Sequence, residues 1–167
     1  MSEQNPQKHL YDLLKDFSNA MLVSNDQSGR MHARPMAIAD LKPDADAYFA
    51  TSIQSPKAGE IQNFPEVLIS FQSATQFASI SGTATLVKDR ELIDRLWSEE
   101  WRAWFPGGKD DPDLVLIRVD AREGEFWDNG GLNGLSYAFE GLKAILKGEK
   151  LQNDKGGSHA KIRLVSG

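Results

Sequence analysis

Side chains alternate between two kinds along the segment from Gln76 to Val87. From Ala78 to Leu86 every second position is apolar or small, and the positions between them carry serine or threonine hydroxyls. A period of two over this length predicts a β-strand with one face in a core, because successive side chains of a strand point to opposite faces. The hydroxyl-rich face is more typical of solvent or a polar interface than of a ligand. The chain is therefore expected to fold around a sheet.

Shorter runs before and after this segment predict further strands. They lie at Ala20–Ser24, Met31–Leu41, Ala47–Ser52, Glu66–Ser73, Asp113–Trp127 (with a break near Glu123-Gly124) and in the late segment AKIRLV. Helices are predicted after Asn5-Pro6, after Ser55-Pro56, after Asp89 and from Leu135 to Lys147. Six or seven strands with few helices favour a mainly β, antiparallel barrel, whose mouth or subunit seam would hold a ligand.

Length and charge exclude several classes of protein. The 167 residues are expected to form one domain, residues 1–167, with a helix and a short strand from about residue 135. A net charge of −5 argues against nucleic-acid and anionic-membrane partners, which need a basic face. The chain has no cysteine, and its N-terminus has no apolar signal segment. We therefore expect a cytoplasmic protein.

The stretch from Met31 to Lys57 carries the chemistry that suits a bound phosphate. Arg34, Thr51, Ser52, Ser55 and Lys57 supply cationic and hydroxyl groups. Ser55-Pro56 resembles a helix cap followed by a first-turn proline, and the free N–H groups of such a helix start favour an anion. A lysine in the first turn costs a few tenths of a kcal/mol unless an anion lies opposite it. The alternative is a solvated surface lysine.

Two other features of the sequence have open interpretations. Pro35 cannot donate to a β-ladder, so an edge, a bulge or a bend is expected at Arg34-Pro35-Met36, and a plain edge proline is the alternative. Four aromatic residues lie close together before a Gly/Pro/Asp loop: Trp97, Trp101, Trp104 and Phe105. This is more aromatic area than one short helix buries in a small core, which indicates an interface or a surface that stacks on a flat ring, against the alternative of core packing alone.

Motifs for several other chemistries are absent. His9, His32 and His159 lie far apart and have no metal-site companions, so we predict no metal. The sequence also lacks GxSxG, a P-loop and a GxGxxG after a strand, which removes support for hydrolase, triphosphatase and Rossmann readings. No side chain is an evident catalytic acid or base.

Several segments taken together resemble a known family. They are RPM (34–36), YFATSIQSPKAGEIQNFPEVLISF (48–71), EEWRAWFPGGKDDPDLVLIRV (99–119) and EFWD (125–128). Their order and spacing are similar to the general stress protein branch of the pyridoxamine 5′-phosphate oxidase-like, FMN-binding split-barrel superfamily. The resemblance runs from about Leu10 to Asp128.

This resemblance implies a six-stranded antiparallel Greek-key split barrel that forms a homodimer with flavin in the seam between subunits. The flavin would be FMN or FAD. Carried over by position, Arg34, Pro35 and Met36 would line its ring and ribityl chain. Phe49, Thr51 and Ser52 would follow the next strand, and Ser55 with Lys57 would hold the phosphate. Trp104 and Phe105 of the partner subunit would cover the ring.

The sequence departs from the oxidase itself after EFW. The oxidase continues with an Arg-Leu-His-Asp-Arg run that grips its vitamin substrate, whereas this chain continues with DNGGLN (128–133). We therefore expect flavin binding without pyridoxamine phosphate oxidation. Two functions stay open, a flavin-dependent oxidoreductase and a non-enzymatic flavin-binding or flavin-sensing stress protein. A split barrel with a deazaflavin or haem is a weaker third alternative.

Overall fold

The computed structural model describes residues 5–130, 142–143, 145–148 and 158–164. Its α-helices are α1 (Pro6–Leu14), α2 (Pro56–Asn63) and α3 (Arg90–Leu96), and two short 3₁₀ turns cover Glu99–Ala103 and Gly108–Asp110. The strands are β1 (Asn19–Asn25), β2 (Met31–Leu41), β3 (Ala47–Ser52), β4 (Glu66–Gln72), β5 (Gln76–Val87), β6 (Leu114–Asp128) and β7 (Ser158–Arg163).

The strands form one antiparallel sheet that closes on itself. Their order is β3-β2-β1-β4-β5-β6-β7, and β3 also pairs with β6, so β1 to β6 form a closed six-stranded barrel. The first three strands are consecutive neighbours, and β4 returns through α2 to lie beside β1, which is the Greek-key order. This confirms the predicted mainly β fold and its barrel topology.

The alternation seen in the sequence decides which side chains fill the barrel. Ala78, Ile80 and Ala84 of β5 are buried, and the hydroxyl residues between them face outward. Gly82 lies where β5 and β6 approach each other most closely, since a Cβ atom there would lie 2.2 Å from the carbonyl oxygen of Asp120. The β5–β6 register shifts at this point, so β6 contains a bulge. The break predicted near Glu123-Gly124 is therefore wrong, because the bulge absorbs the irregularity within a continuous strand.

Strands β2 and β3 pair over only part of their lengths. Their register begins at Ile38↔Phe49 and runs to Leu41↔Ala47. Toward the other end, β2 pairs with β1 alone, and Pro35 lies opposite Met21 without a register shift. Pro35 therefore lies at an open edge, one of the predicted alternatives, and its missing N–H removes no ladder bond there. The wall of the barrel splits at this place.

Two hydrophobic clusters hold the flanking elements. Helix α1 begins at the Asn5 cap and packs Leu10 and Leu14 onto the main core inside the barrel. A second cluster lies outside β3 and β6, where α3 and the 3₁₀ turns bury Ile93, Trp101 and Phe105. This second cluster brings the aromatic segment next to the split between β2 and β3.

The C-terminal predictions are tested only in part. Strand β7 confirms the predicted short strand and pairs with the end of β6. Residues 142–143 and 145–147 are helical, and the rest of the predicted helix lies outside the described residues. In the described part of the chain, no helix has both the length and the apolar character that a membrane span requires. The cytoplasmic location stays a prediction.

Candidate functional site

A cleft of about 370 Å³ opens where β2 and β3 separate. A volume of this size falls in the range of small-molecule sites. The cleft is lined by Pro35, Met36, Ala37, Ala50, Thr51, Ser52, Ser55, Lys57, Trp101, Trp104 and Phe105. The split edge of the barrel supplies one wall, the start of α2 supplies the end, and the aromatic segment supplies the other wall.

Hydroxyl groups line the end of the cleft next to α2. The Thr51 and Ser55 hydroxyls lie 3.2 Å apart, and Ser55 also donates to the Ser52 carbonyl at 2.7 Å. The Ser55 side chain therefore does not cap α2, although Ser55 occupies the N-cap position. In the first turn of α2, Pro56 has no N–H and Ala58 donates to the Ser55 carbonyl at 3.0 Å, so the Lys57 N–H is the donor that this turn leaves beside the hydroxyls.

Lys57 is the ionisable side chain among the residues that line the cleft. It lies in the first turn of α2 and is half-buried. Burial lowers the pKa of Lys57, the charge of Arg34 lowers it further, and Glu60 acts in the opposite direction. Within the described ranges, no carboxylate forms an ion pair with the Lys57 ammonium group. A half-buried ammonium group that forms no ion pair with a carboxylate suits an anionic ligand.

Arg34 lies behind the cleft and does not line it. Its guanidinium group donates to the Ser24 hydroxyl and, at 3.1 Å, to the Glu60 carboxylate. The predicted direct contact of Arg34 with a cofactor ring therefore has no counterpart in the lining of the cleft. The reason is the ion pair with α2, which turns the side chain toward the helix.

Phe49 is fully buried in the main core and also does not line the cleft. Along β3, Ala47, Phe49 and Thr51 share the inward face, while Ala50 and Ser52 face outward. Thr51 still reaches the cleft because it lies at the end of the strand, beyond the last pairing with β2. The alternation of the strand already contained this signal, since Phe49 shares one face with Ala47, and Tyr48 and Ala50 lie on the other.

The aromatic wall comes from the same chain as the rest of the cleft. Trp101 and Phe105 are buried in the second cluster, whereas Trp104 is 74% exposed. Trp97 is partly buried and packs against the same cluster, so core packing explains three members of the aromatic group but not Trp104. That Trp104 and Phe105 act from a partner subunit stays a prediction. Within one chain, both residues line the cleft.

The sequence-based selection missed three residues of the lining. Ala37 and Ala50 are small residues on the two separating strands, and Trp101 belongs to the aromatic segment that forms the opposite wall. The signal for Ala37 was the alternation of small residues along β2, which leaves the backbone accessible. In the part of the chain that the structure describes, no group of three or more histidine, aspartate or glutamate side chains has the geometry of a metal site.

Comparison with known proteins identifies the family. The profile of the family described as pyridoxamine 5′-phosphate oxidase like matches residues 5–152. General stress protein 26 of Bacillus subtilis is 29% identical over 128 residues, which cover 74% of this chain and 89% of that protein. Protein bli-3 of Neurospora crassa is 32% identical over 110 residues, or 59% of this chain, and the chain spans only 53% of its length.

A solved structure agrees with these two relatives. The general stress FMN/FAD binding protein from Xanthomonas citri is 34% identical, with a TM-score of 0.63 over 75% of this chain and 89% of that protein. It shares the barrel described above. The chain therefore belongs to the pyridoxamine 5′-phosphate oxidase-like family and is a homologue of general stress protein 26.

Proposed function

We propose that the cleft binds FMN and that the protein is a flavin-dependent oxidoreductase of the general stress type. The observation that carries this proposal is Lys57, a half-buried cation at the start of α2 with hydroxyls on one side and an apolar, aromatic slot on the other. This combination matches a phosphate joined to a flat ring. The FMN/FAD binding protein from Xanthomonas citri supports the same cofactor class.

The residues of the cleft fit the two ends of such a molecule. The Ser55 hydroxyl and the ammonium and backbone N–H groups of Lys57 would hold the phosphate. Pro35, Met36 and Ala37 offer a wall without charges, against which a flat ring can lie, and Trp104 would cover it. When it is bound, the flavin supplies the hydride or electron transfer, and the protein supplies its position and its access.

Among the described residues that line the cleft, none carries a carboxylate or an imidazole that could move a proton. This favours reactions in which the cofactor alone exchanges electrons. Oxidation of pyridoxamine phosphate is not expected, because the residues after EFW read DNGGLN and lack the arginine and histidine with which the oxidase grips its substrate. NAD(P)H oxidation with an artificial acceptor is the assay that separates an enzyme from a flavin-binding protein. A rate no higher than that of free FMN would favour the non-enzymatic alternative.

The direct test is the visible spectrum of the purified protein before and after FMN is added, combined with gel filtration. We expect a flavin band that travels with the protein, and we expect FAD to bind with lower affinity because the cleft ends at Lys57 and the hydroxyls. A colourless protein that leaves FMN in the free fraction would refute the proposal.

We also propose that the functional unit is a homodimer, as the family resemblance implies. The supporting observation is an uncharged patch on the outer face of the sheet, beside the cleft. In register across three strands, Val23 lies between Ala33 and Leu68, and Met21 lies between Pro35 and Ser70. Met21 and Leu68 are 38% and 39% exposed. Neighbouring exposed apolar side chains of this kind mark interaction sites.

A charge in the middle of this patch should disrupt the dimer. We expect Ala33→Glu to elute as a monomer and to retain less FMN, because a carboxylate buried without a partner is costly. Lys88→Glu, at an exposed position after β5, is the matched control and should elute as the wild type does. A dimer with unchanged retention of FMN in Ala33→Glu would refute this interface.

A further inference from the structure

A closed network of three side chains lies directly behind the phosphate end of the cleft. The Ser24 hydroxyl donates to the Glu60 carboxylate at 2.6 Å and accepts a hydrogen bond from Arg34. Arg34 also donates to the same Glu60 oxygen at 3.1 Å. Ser24 is buried, and the side chains of Arg34 and Glu60 are only 23% and 15% exposed. Each member therefore contacts the other two with little access for water.

This network joins three separate elements of the fold. Ser24 belongs to β1, Arg34 to β2 and Glu60 to α2. Lys57 precedes Glu60 by three residues, so the two side chains lie on the same side of α2. The ion pair therefore fixes the helix that carries Lys57, at the end of the cleft, against the strand that carries Pro35 and Met36, which supplies one of its walls.

The charges around Lys57 are few. Arg34 faces it from β2, and Glu60 faces it from its own helix. His32 is the next ionisable group; it acts on Glu60 and pairs with Asp26 on the β1–β2 hairpin at 2.9 Å. The positive charge of Arg34 lowers the pKa of Lys57, and the negative charge of Glu60 raises it. Glu60 is thus the one carboxylate in this group that stands beside both cations.

Glu60 itself is held in its ionised form. Burial acts to raise the pKa of Glu60, but the Ser24 hydrogen bond and the Arg34 charge outweigh burial, so the net pKa is lowered. An ionised Glu60 offsets one of two neighbouring positive charges. Without it, two cations would be half-buried side by side, and the lysine would lose its proton more readily than the arginine, which is effectively always charged.

We infer that Glu60 is a positioning residue of the phosphate site: it fixes α2 against β2 through Arg34 and Ser24, and its negative charge stands near the Lys57 ammonium group and offsets the positive charge of Arg34 there. This inference rests on the proposed function for its ligand, the FMN phosphate. Glu60 does not contact the ligand, since it does not line the cleft. Its effect is transmitted through Lys57 and Arg34.

The test separates the charge of Glu60 from its shape. Glu60→Gln keeps an oxygen that accepts from Ser24 and Arg34 but removes the charge, whereas Glu60→Asp keeps the charge on a shorter side chain. Affinity for FMN is measured by quenching of flavin fluorescence as the pH rises. Between about pH 7 and about pH 10, we expect Glu60→Gln to lose affinity at least about threefold more steeply than the wild type. Ionisation of the flavin itself is the same in both proteins and cancels.

Two further variants make the outcome specific. Glu60→Asp should bind FMN more weakly at every pH with the slope of the wild type, because the charge remains and the position is lost. The double variant Lys57→Arg with Glu60→Gln should lose the alkaline fall in affinity, because a guanidinium stays charged. Glu66→Gln, which breaks an exposed pair with Arg122, is the matched control and should behave as the wild type does.

A second readout needs no ligand. In the apoprotein, the ¹³Cε signal of Lys57, assigned by comparison with Lys57→Arg, should titrate at lower pH in Glu60→Gln than in the wild type. Equal titrations and equal affinity slopes in these two proteins would overturn the inference. Failure of the wild type to bind FMN at any pH, with a shifted Lys57 titration, would instead refute the proposed function and leave the role of Glu60 toward Lys57 intact.

Discussion

Replacing Lys57 by methionine should change cofactor binding and folding in opposite directions. Methionine keeps the length and the apolar stem of the side chain and removes only the charge. An ammonium that pairs with a phosphate contributes about 1.5–3 kcal/mol, so we expect the dissociation constant of FMN to rise roughly 10- to 150-fold. The loss should be smaller at high salt, because screening weakens the pair that has been removed.

The same substitution should not destabilise the empty protein. Burial and Arg34 lower the pKa of Lys57 in the folded state below that of the unfolded chain. Between the two pKa values the unfolded chain binds the proton and the folded chain does not, so the stability of the wild type rises with pH through that window. Below it, the charged Lys57 is a cost to folding. Lys57→Met removes this cost and should unfold at the same or a higher urea concentration at neutral pH.

Riboflavin provides the decisive comparison, because it has the ring and the ribityl chain without the phosphate. Its affinity should be equal in the wild type and Lys57→Met, while that of FMN falls. Lys88→Met, at an exposed position after β5, serves as the control for loss of a lysine elsewhere. Equal losses for riboflavin and FMN, or a less stable apoprotein, would show that Lys57 supports the fold and not the phosphate.

Two further predictions concern the frame around the site. Gly82→Ala places a Cβ 2.2 Å from the Asp120 carbonyl oxygen and should lower the free energy of urea unfolding by about 2 kcal/mol or more. Gly59→Ala in α2 places a Cβ that meets no atom within 4 Å and should raise this free energy by about 0.5–1 kcal/mol. Equal effects of the two substitutions would refute the close approach at Gly82. Burial acts to raise the pKa of Asp128, but hydrogen bonds from His9, Gln76 and the Gly130 N–H outweigh it, so the net pKa is lowered. The ionised Asp128 therefore stabilises the fold above the ordinary carboxyl range, and this contribution is lost as the pH falls through the lowered pKa. Asp128→Asn should therefore cost about 1–2 kcal/mol at neutral pH and less near pH 3, and an equal cost at both would contradict this assignment.

The strands could be predicted because burial in a sheet imposes a period of two, and β5 shows it most clearly. The number of strands favoured a barrel, but the order in which the strands pair could not be derived from that pattern. Residues Ala47–Ser52 read as one more short strand, and nothing local shows that β3 pairs with β2 on one side and β6 on the other. These contacts join residues far apart in the chain, so only the resemblance of several motifs together predicted the topology.

Residues at the helix end of the cleft could be selected from the sequence because their chemistry is local. Ser55, Pro56 and Lys57 are consecutive, and the physics of a helix start applies to them directly. The network of Ser24, Arg34 and Glu60 was missed, because Ser24 looks like the polar end of an apolar strand and Glu60 like the solvent face of a helix. They meet only through the Greek-key return of the chain, across a separation of 36 residues.

The division of β2 into two stretches has a consequence for how such a barrel could change over time. Residues 38–41 pair with β3 and close the wall, whereas Pro35, Met36 and Ala37 line the cleft and pair with β1 alone. Pro35 and Ala37 are exposed, so substitutions at these two positions can reshape the slot without loosening closure, whereas Met36 is also buried in the main core. Selection could therefore change or remove the bound cofactor while the barrel stays intact. Most of the substitutions that alter this site during evolution would then fall in one short stretch of β2.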